Sequence, residues 1–333
     1  MNSVKGKVKI VYPIIGVALL VIIPLYIFGI HDFLSVNQRL DADALIVEGF
    51  LPDYALESAV GEFHSGKYSV VITTGIPLPA EYRMPFDGRL VYVLPDSLCS
   101  LQGNDPVLSL RLFGTSLENV FAHFNVYVNG QLIGEGMSEA QSSIFTFNTG
   151  QFPECIRCLE IEFDNDAARA GEDRDLYVEE VLIGSLRLPA RSPLSRYHRG
   201  LTPGGPAFDT MLMSLAEVAA DQLIRAGMPA EKVIPVSTSG LMVNRTRASA
   251  LSVWEKMDSG QLSFNSANVV SLGVHARRSC LLYKRRFTSD AEFGVISVRN
   301  DSYEPGYWWR SPEGRRTVFM ESVKYLYTVI FLW

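Results

Sequence analysis

The sequence lacks the short motifs that identify the common nucleotide-binding, zinc-binding and hydrolase classes. It holds no Walker-type phosphate loop, no GxGxxG turn, no GxSxG nucleophile elbow and no zinc-type spacing of Cys and His. Its formal net charge of -6 is mild and gives no basic footprint for nucleic acid. We therefore predict no nucleic-acid partner and look for chemistry in acids, amides and isolated cations.

Cysteine is also scarce, with 4 in 333 residues. Cys155 and Cys158 form a C-x-x-C, but the flanking pattern is strand-like and no helix N-terminus is present to lower a thiol pKa. This context does not favour a redox motif, and a local disulfide between the two residues stays open. Cys99 and Cys280 are isolated in the sequence.

Long apolar runs are few, and the most extended one covers residues 10–30. Its length is close to the ~20 residues that a helix needs to cross a bilayer. Three lysines precede it and Asp32 is the first acid after it, so the positive-inside rule places residues 1–9 in the cytoplasm. No A-x-A-like cleavage site follows. The run predicts an uncleaved transmembrane anchor in the inner membrane, with most of the chain outside; the alternative is a buried helix of a soluble protein.

Two parts of the chain alternate buried strands with amphipathic helices, as parallel α/β sheets do. In the first part, apolar strands over 41–49 and 69–75 enclose a helix over 54–66. The same alternation resumes after the middle of the chain, but the first part alone is too small to bury a core. We therefore predict one discontinuous domain over 41–80 and 207–333. Its fold class is α/β, with a doubly wound (Rossmann-like), mostly parallel sheet.

The segment over 88–188 has a different pattern, with short strands separated by turn residues. Asn129-Gly130 lies between two apolar strands and is a strong hairpin signal. Strands at this spacing predict an inserted β-sandwich. A Pro/Arg/Gly-rich stretch over 189–206 then predicts a linker back to the α/β domain.

One loop of this insert is rich in carboxylates and follows a predicted strand. Oxygen ligands from Asp, Glu and Asn are those that calcium prefers, so the loop predicts a hard-cation site. A solvated acidic loop is the alternative. The predicted metal ligands are Asp164, Asp166, Glu172, Asp173 and Asp175.

The insert resembles a calcium-dependent, xylan-binding type of carbohydrate-binding module. The resemblance rests on Asn165-Asp166-Ala167, on Asp173 to Val178 and on the hairpin over 126–134. It implies calcium as cofactor and polysaccharide as partner, with the ion bridging protein oxygens and vicinal sugar hydroxyls.

The α/β parts resemble the ElyC/SanA/YdcF family of bacterial envelope proteins. The motifs that carry this resemblance are Ala42 to Gly49, Thr73-Thr74-Gly75, Asn244 to Ser249 and Ser271 to Ser279. The resemblance implies a YdcF-like domain with a role in the cell envelope.

Polar residues cluster where the predicted parallel strands end and the next helices begin. Ligands of open α/β sheets lie at that edge, and free N–H groups at helix starts favour anions. The predicted ligand-binding residues are Gly49, Thr74, Gly75, Asn244, Arg245, Thr246 and Arg277. Glu48 and His275 are the acid/base candidates, although His275 is as readily a helix cap, and Glu321 is expected to tie down the last helix.

Three functions follow as alternatives. The first is an anchored envelope protein that binds polysaccharide through the insert and a phosphorylated or lipid-linked precursor through the α/β pocket. The second is a hydrolase or transferase of envelope glycans that uses Glu48 and His275. The third is a non-catalytic structural adaptor.

Overall fold

The computed structural model describes residues 20, 23–103, 107–149, 155–169, 172–202, 205–238, 244–287 and 291–332. The chain divides into two compact units. Unit 1 comprises Met1–Pro77 and Ser214–Trp333, and unit 2 comprises Leu78–Met213.

The elements follow one another in three groups. The first segment of unit 1 holds α1 (described over 23–34), β1 (Ala44–Glu48), α2 (Asp53–Ser65) and β2 (Val70–Gly75). Unit 2 holds β3 (Tyr82–Met84), β4 (Gly88–Val93), α3 (Cys99–Gln102), β5 (Val107–Gly114), β6 (Ser116–Leu117), β7 (Val120–Phe121), β8 (His123–Val128), β9 (Gln131–Met137), β10 (Ser143–Asn148), β11 (Cys158–Phe163), β12 (Ala167–Arg169), β13 (Glu172–Arg174), β14 (Leu176–Ile183), β15 (Leu186–Pro189), β16 (Ser195–Arg199) and β17 (Ala207–Asp209). The second segment of unit 1 holds α4 (Leu215–Arg225), β18 (Val233–Ser237), α5 (Arg245–Asp258), β19 (Ser266–Leu272), α6 (Ala276–Phe287), β20 (Glu292–Val298) and α7 (Pro312–Phe331).

Unit 1 is built on a five-stranded parallel sheet in the order β18-β2-β1-β19-β20. Its central strand β1 is buried along its whole length, because both faces of the sheet are covered by helices. Leu45 and Val47 lie in one apolar cluster with residues of α2 and α4, whereas Ala44 and Ile46 lie in another with residues of α5 and α6. The strand order reverses at β1, since β2 pairs on one side of it and β19 on the other.

The described part of unit 2 contains two larger antiparallel sheets and two small two-stranded ones, β12-β13 and β6-β7. One larger sheet has the order β10-β5-β14-β15, with β3 paired to β14, and the other has the order β17-β16-β4-β11-β8-β9. Every second residue of β5 and β8 enters one shared core: Leu108, Leu110, Leu112, Phe124, Val126 and Val128. Asn129 and Gly130 both have positive φ, of 48° and 82°, as a two-residue hairpin turn between β8 and β9 requires. Strand β16, which pairs with β4, lies within the predicted linker over 189–206.

The predicted fold class is wrong in its overall description. Most of the strands that the structure describes are antiparallel, and the parallel sheet is the smaller part, so the fold is mixed. The prediction gave too much weight to the α/β segments because strands buried on both faces are long apolar runs that stand out in a sequence. The short alternating strands of unit 2 outnumber them.

The predicted transmembrane anchor over 10–30 is also corrected. Within the described residues, no helix combines the length and apolar character needed to cross a membrane. This contradicts the predicted single-pass inner-membrane localisation. Where α1 is described, its apolar side chains Tyr26 and Ile30 pack against Leu34, Trp308 and Val318 of unit 1. Residues 1–19 and 21–22, including the predicted cytoplasmic tail, lie outside the described residues.

Candidate functional site

The carboxyl ends of the parallel strands bring several predicted site residues together at one edge of the sheet. Glu48 ends β1, Thr74 and Gly75 end β2, and His275 follows β19 in a short 3-10 turn. The neighbouring helix α4 approaches this edge closely. A Cβ atom on Gly75 would lie 2.5 Å from the backbone nitrogen of Ala216, so glycine is required there.

Glu48 is the most unusual side chain at this edge. Only 2% of its surface is exposed, although it is a carboxyl group. Ser279 Oγ donates a hydrogen bond to its Oε1 at 2.9 Å, and Ser271 also bonds to it. Its Oε2 is buried and has no hydrogen-bond partner among the described residues. Burial raises the pKa of Glu48 despite the hydroxyls of Ser271 and Ser279, which favours the neutral acid.

His275 lies beside a second buried carboxyl group. Its Nδ1 is 2.8 Å from Oε2 of Glu321 on α7, and Arg278 Nε donates to the other oxygen of the same carboxylate. Burial would raise the pKa of Glu321, but the hydrogen bonds and charges of His275 and Arg278 outweigh it and lower that pKa to about 2. Because Nδ1 faces this carboxylate, Nε2 is the ring nitrogen that can exchange a proton with a substrate. The ring also contacts Phe50 edge-on at 5.9 Å.

A narrow cleft of about 20 Å³ opens above Glu48. Phe50 and Thr74 line it from the strand side, while Arg245, Thr246 and Ser249 line it from α5. A cavity of this size holds about one small atom group such as a water molecule. The cleft therefore admits a reacting group to Glu48 while the bulk of a substrate stays outside it.

The start of α5 lies at the mouth of this cleft and lacks a side-chain cap. Asn244 precedes the helix in the left-handed conformation, with φ 57° and ψ 46°, and its side chain makes no capping hydrogen bond. Within the described residues, which exclude 239–243, no side-chain cap occupies the first N–H groups of α5. They offer a binding place for an anion, to which the helix dipole and Arg245 contribute positive charge.

The predicted cation Arg277 and its neighbour Arg278 have other partners. Arg277 Nε donates to the carbonyl of Phe33, and its guanidinium group lies 4.0 Å from the centre of the Phe33 ring. Arg278 is bound to Glu321. Arg245 is therefore the cation that lines the cleft in the part of the chain that the structure describes.

In unit 2, the structure brings together three of the five predicted metal ligands. The carboxylates of Asp166, Asp173 and Asp175 are close enough to repel one another. Asp166 also lies beside Asp87, whose Oδ1 accepts a hydrogen bond from the N–H of Asp166 at 2.7 Å. Burial and the neighbouring carboxylates raise the pKa of Asp166. Asp175 is 3% exposed, and its Oδ1 has no hydrogen-bond partner among the described residues.

Arg83 supplies positive charge to this carboxylate group. Its Nη2 lies 3.1 Å from Oδ2 of Asp173 and 2.9 Å from Oδ2 of Asp175. Sequence reasoning missed Arg83 and Asp87, which lie in a proline-interrupted segment with no periodic pattern. Across the described ranges, no group of three or more His, Cys, Asp or Glu residues is arranged to hold a metal ion.

The remaining two predicted ligands lie apart. Asp164 pairs with His123 at 2.7 Å and accepts a hydrogen bond from Asn125 at 2.9 Å. Glu172 is exposed at the start of β13.

The disulfide of unit 2 joins Cys99 to Cys155, whereas Cys158 is free. The local bridge that the sequence left open, between Cys155 and Cys158, is therefore not formed. Cys99 and Cys155 are 56 positions apart in the sequence, and no spacing rule connects them.

Comparison with known proteins adds little. No family model matches the chain, and no curated protein matches it. An acetyl xylan esterase of the rumen bacterium Butyrivibrio proteoclasticus is 9% identical over 78% of this chain and 95% of its own, with a TM-score of 0.26. A family two carbohydrate esterase of Cellvibrio japonicus is 10% identical over 72% and 92%, with a TM-score of 0.23. A glycosylation associate protein complex of Streptococcus agalactiae is 12% identical over 73% and 77%, with a TM-score of 0.19. Scores this low carry no argument about fold or function, and both resemblances stay predictions.

Proposed function

We propose that unit 1 is an acid/base hydrolase or transferase that acts on a phosphate ester. The observation that carries this proposal is Glu48, a carboxyl group 2% exposed, with an unpartnered Oε2, in a cleft at the carboxyl edge of a parallel sheet. Buried carboxyl groups with a shifted pKa in a cleft are found preferentially at catalytic sites.

The anionic part of the substrate binds at the start of α5. The uncapped N–H groups and the guanidinium group of Arg245 favour a phosphate there, and the phosphate oxygens that develop charge during the reaction remain in contact with the same groups. This charge selects an anionic substrate over a neutral one.

In the reaction, His275 accepts one proton and Glu48 donates another. A water or acceptor hydroxyl attacks phosphorus, and its proton passes to Nε2 of His275 while Glu321 stabilises the imidazolium ion that forms. The bond from phosphorus to the leaving oxygen breaks, and that oxygen takes the proton of Glu48. Exchange with solvent afterwards returns a proton to Glu48 and removes one from His275.

Turnover of p-nitrophenyl phosphate and bis(p-nitrophenyl) phosphate tests this function. We expect Glu48→Gln and His275→Asn each to lower kcat/KM by about 100-fold or more, as loss of a general acid or base does. Glu57→Gln, on the exposed face of α2, is the matched control. Absence of turnover by the folded wild-type chain, or an unchanged rate in both variants, would contradict the proposal.

A specific observation in unit 2 favours a second function, calcium-dependent polysaccharide binding. The buried, unpartnered Oδ1 of Asp175 lies in a group of carboxylates whose repulsion is only partly offset by Arg83. The donor chemistry fits calcium, which would be held by Asp166, Asp173 and Asp175 once Arg83 moved away. The bound ion would supply open coordination positions for vicinal sugar hydroxyls.

Thermal unfolding with and without 1 mM CaCl₂ separates this function from a solvated acidic loop. We expect calcium to raise the Tm of the wild-type chain and to increase its retention on xylan, with both effects lost in Asp166→Ala. Glu172→Ala is the control, because that side chain is exposed and lies outside the group. An equal Tm in calcium and in EDTA would refute the assignment.

A further inference from the structure

Unit 1 contains a second, larger cleft that the proposed reaction does not use. Its volume is about 400 Å³, which lies in the range of small-molecule sites. It opens where β18 ends, against one side of α5. Its lining includes Ser237, Thr238, Ser252, Glu255, Lys256 and Ser259.

The lining contains a buried hydroxyl group with no partner. Thr238 is 3% exposed, and its Oγ1 makes no hydrogen bond within the described residues. Ser252 is also buried, at 7% exposure. Buried polar groups are almost always hydrogen-bonded, so the Thr238 hydroxyl in this cleft wall is free to bond to a ligand group or to a water molecule that a ligand displaces.

The charge of the lining favours a neutral, hydroxyl-rich ligand. Glu255 and Lys256 carry opposite charges, and Lys256 Nζ donates to Oε1 of Gln261 at 2.6 Å. The hydroxyl groups both donate and accept hydrogen bonds, which matches the hydroxyls of a sugar and gives no preference for a phosphate.

Lining residues of the two clefts are neighbours at two places. Ser249 lines the Glu48 cleft and Ser252 lines the larger one, and residues three apart are neighbours on one face of a helix. In addition, the N–H of Thr238 donates to the carbonyl of Gly75 at 2.9 Å, and Gly75 belongs to the Glu48 cleft. A ligand with a phosphate at Arg245 can therefore extend along α5 toward Thr238.

We propose that the larger cleft binds the sugar part of a sugar phosphate, with the phosphate at the start of α5. This inference rests on the proposed function, because it assigns the substrate class of the same enzyme. Thr238 and Ser252 bind sugar hydroxyls and set the preference for glycosyl phosphates over simple phosphate esters.

Isothermal titration calorimetry with the full chain tests this inference without requiring turnover. The probes are N-acetylglucosamine 1-phosphate, glucose 1-phosphate and inorganic phosphate. We expect one of the sugar phosphates to bind at least about 10-fold more tightly than inorganic phosphate, a gain that one or two sugar hydrogen bonds explain. Thr238→Val and Ser252→Ala should each remove most of that gain and leave phosphate affinity unchanged.

Ser58→Ala, on the exposed surface of α2, is the matched control for loss of a serine hydroxyl. Circular dichroism and Tm establish that the variants are folded, and the two variants act as independent tests if one is not. Equal affinity for sugar phosphates and inorganic phosphate, or a sugar gain that survives both substitutions, overturns the inference.

The outcomes also separate this inference from the proposed function. If the wild-type chain binds a sugar phosphate through Thr238 but cleaves no phosphate ester, the acid/base proposal fails and the sugar site stands. If it cleaves phosphate esters but gains nothing from a sugar, the sugar site fails and the acid/base proposal stands. If it does neither, both are wrong.

Discussion

Unit 1 contains two buried carboxyl groups in contrasting surroundings, Glu48 at the end of β1 and Glu321 on α7. Their exposures are nearly equal, at 2% and 1%. Glu48 has serine hydroxyls as its nearest partners, and burial raises its pKa. Glu321 contacts His275 and Arg278, and its pKa falls to about 2. The charges of His275 and Arg278 act on both carboxyl groups, but these two residues form hydrogen bonds only with Glu321 in the pair. Equal burial therefore shifts the two pKa values in opposite directions, because direct hydrogen bonds to cations outweigh burial only at Glu321.

Removal of the Glu321 carboxylate should have the largest effect. Glu321→Ala leaves Arg278, which is 13% exposed, and His275 without their shared counter-charge, so we expect a loss of about 3–5 kcal/mol in the free energy of unfolding. Urea denaturation measures it. Lys324→Ala is the control, because Lys324 is half exposed and 3.9 Å from the same carboxylate, and should change stability by less than about 1 kcal/mol. Similar losses in both variants would show that the carboxylate is not a buried charge partner.

The lowered pKa of Glu321 should also make the stability of the wild-type chain depend on pH in the acidic range. The folded-state pKa of Glu321, about 2, lies below its ordinary value of 4.5, so its stabilisation is present above pH 4.5 and is lost as the pH falls toward 2. A shift of this size corresponds to about 3 kcal/mol. Denaturation from pH 6 to pH 2 should show this slope, and Glu321→Gln should flatten it. An unaltered profile in the variant would assign acid unfolding to other carboxylates.

Glu48→Gln should have the smallest effect, because the amide has the shape of the neutral acid. We expect a change within about 1 kcal/mol at pH 4, below the ordinary pKa of 4.5, where Glu48 is mainly the neutral acid in both the folded and the unfolded wild-type chain. The raised pKa of Glu48 means that wild-type stability declines as the pH rises above the ordinary value of 4.5, and the variant should lack this decline. Tm measurements between pH 4 and pH 8 test this. A large loss already present at pH 4 would mean that Glu48 is ionised in the folded chain.

The site residues at the strand ends could be predicted from the sequence, but the side chains that interact with them could not. Glu48 and His275 were identifiable because each follows a continuous apolar run of a buried parallel strand. Glu321 was assigned only a structural role, because nothing local connects α7 to a histidine 46 positions earlier. The contact between His275 and Glu321 depends on how α7 packs in the fold, and the hydrophobic periodicity of α7 does not predict this packing.

In unit 2 as well, the sequence predicted a local turn but not a contact between distant segments. The hairpin at Asn129-Gly130 was predicted from its two turn residues, since both must adopt positive φ. The approach of Arg83 to Asp175 follows instead from the pairing of β3 with β14, which joins segments more than 90 positions apart. Strand partners at that separation are chosen by the whole core and not by local sequence.

The uncapped start of α5 has a consequence for how this protein would respond to selection. A residue that held position 244 in the extended conformation, as a Ser or Asp there could and Asn244 does not, would accept a hydrogen bond from one N–H group of the first turn, a cap worth about 1 kcal/mol. The same oxygen would occupy the place of an incoming phosphate. A library sorted for heat resistance alone should therefore enrich substitutions of Asn244, and the winners should bind anions less well than the parent. At position 244, a substitution that raises stability is therefore expected to lower the affinity for anions.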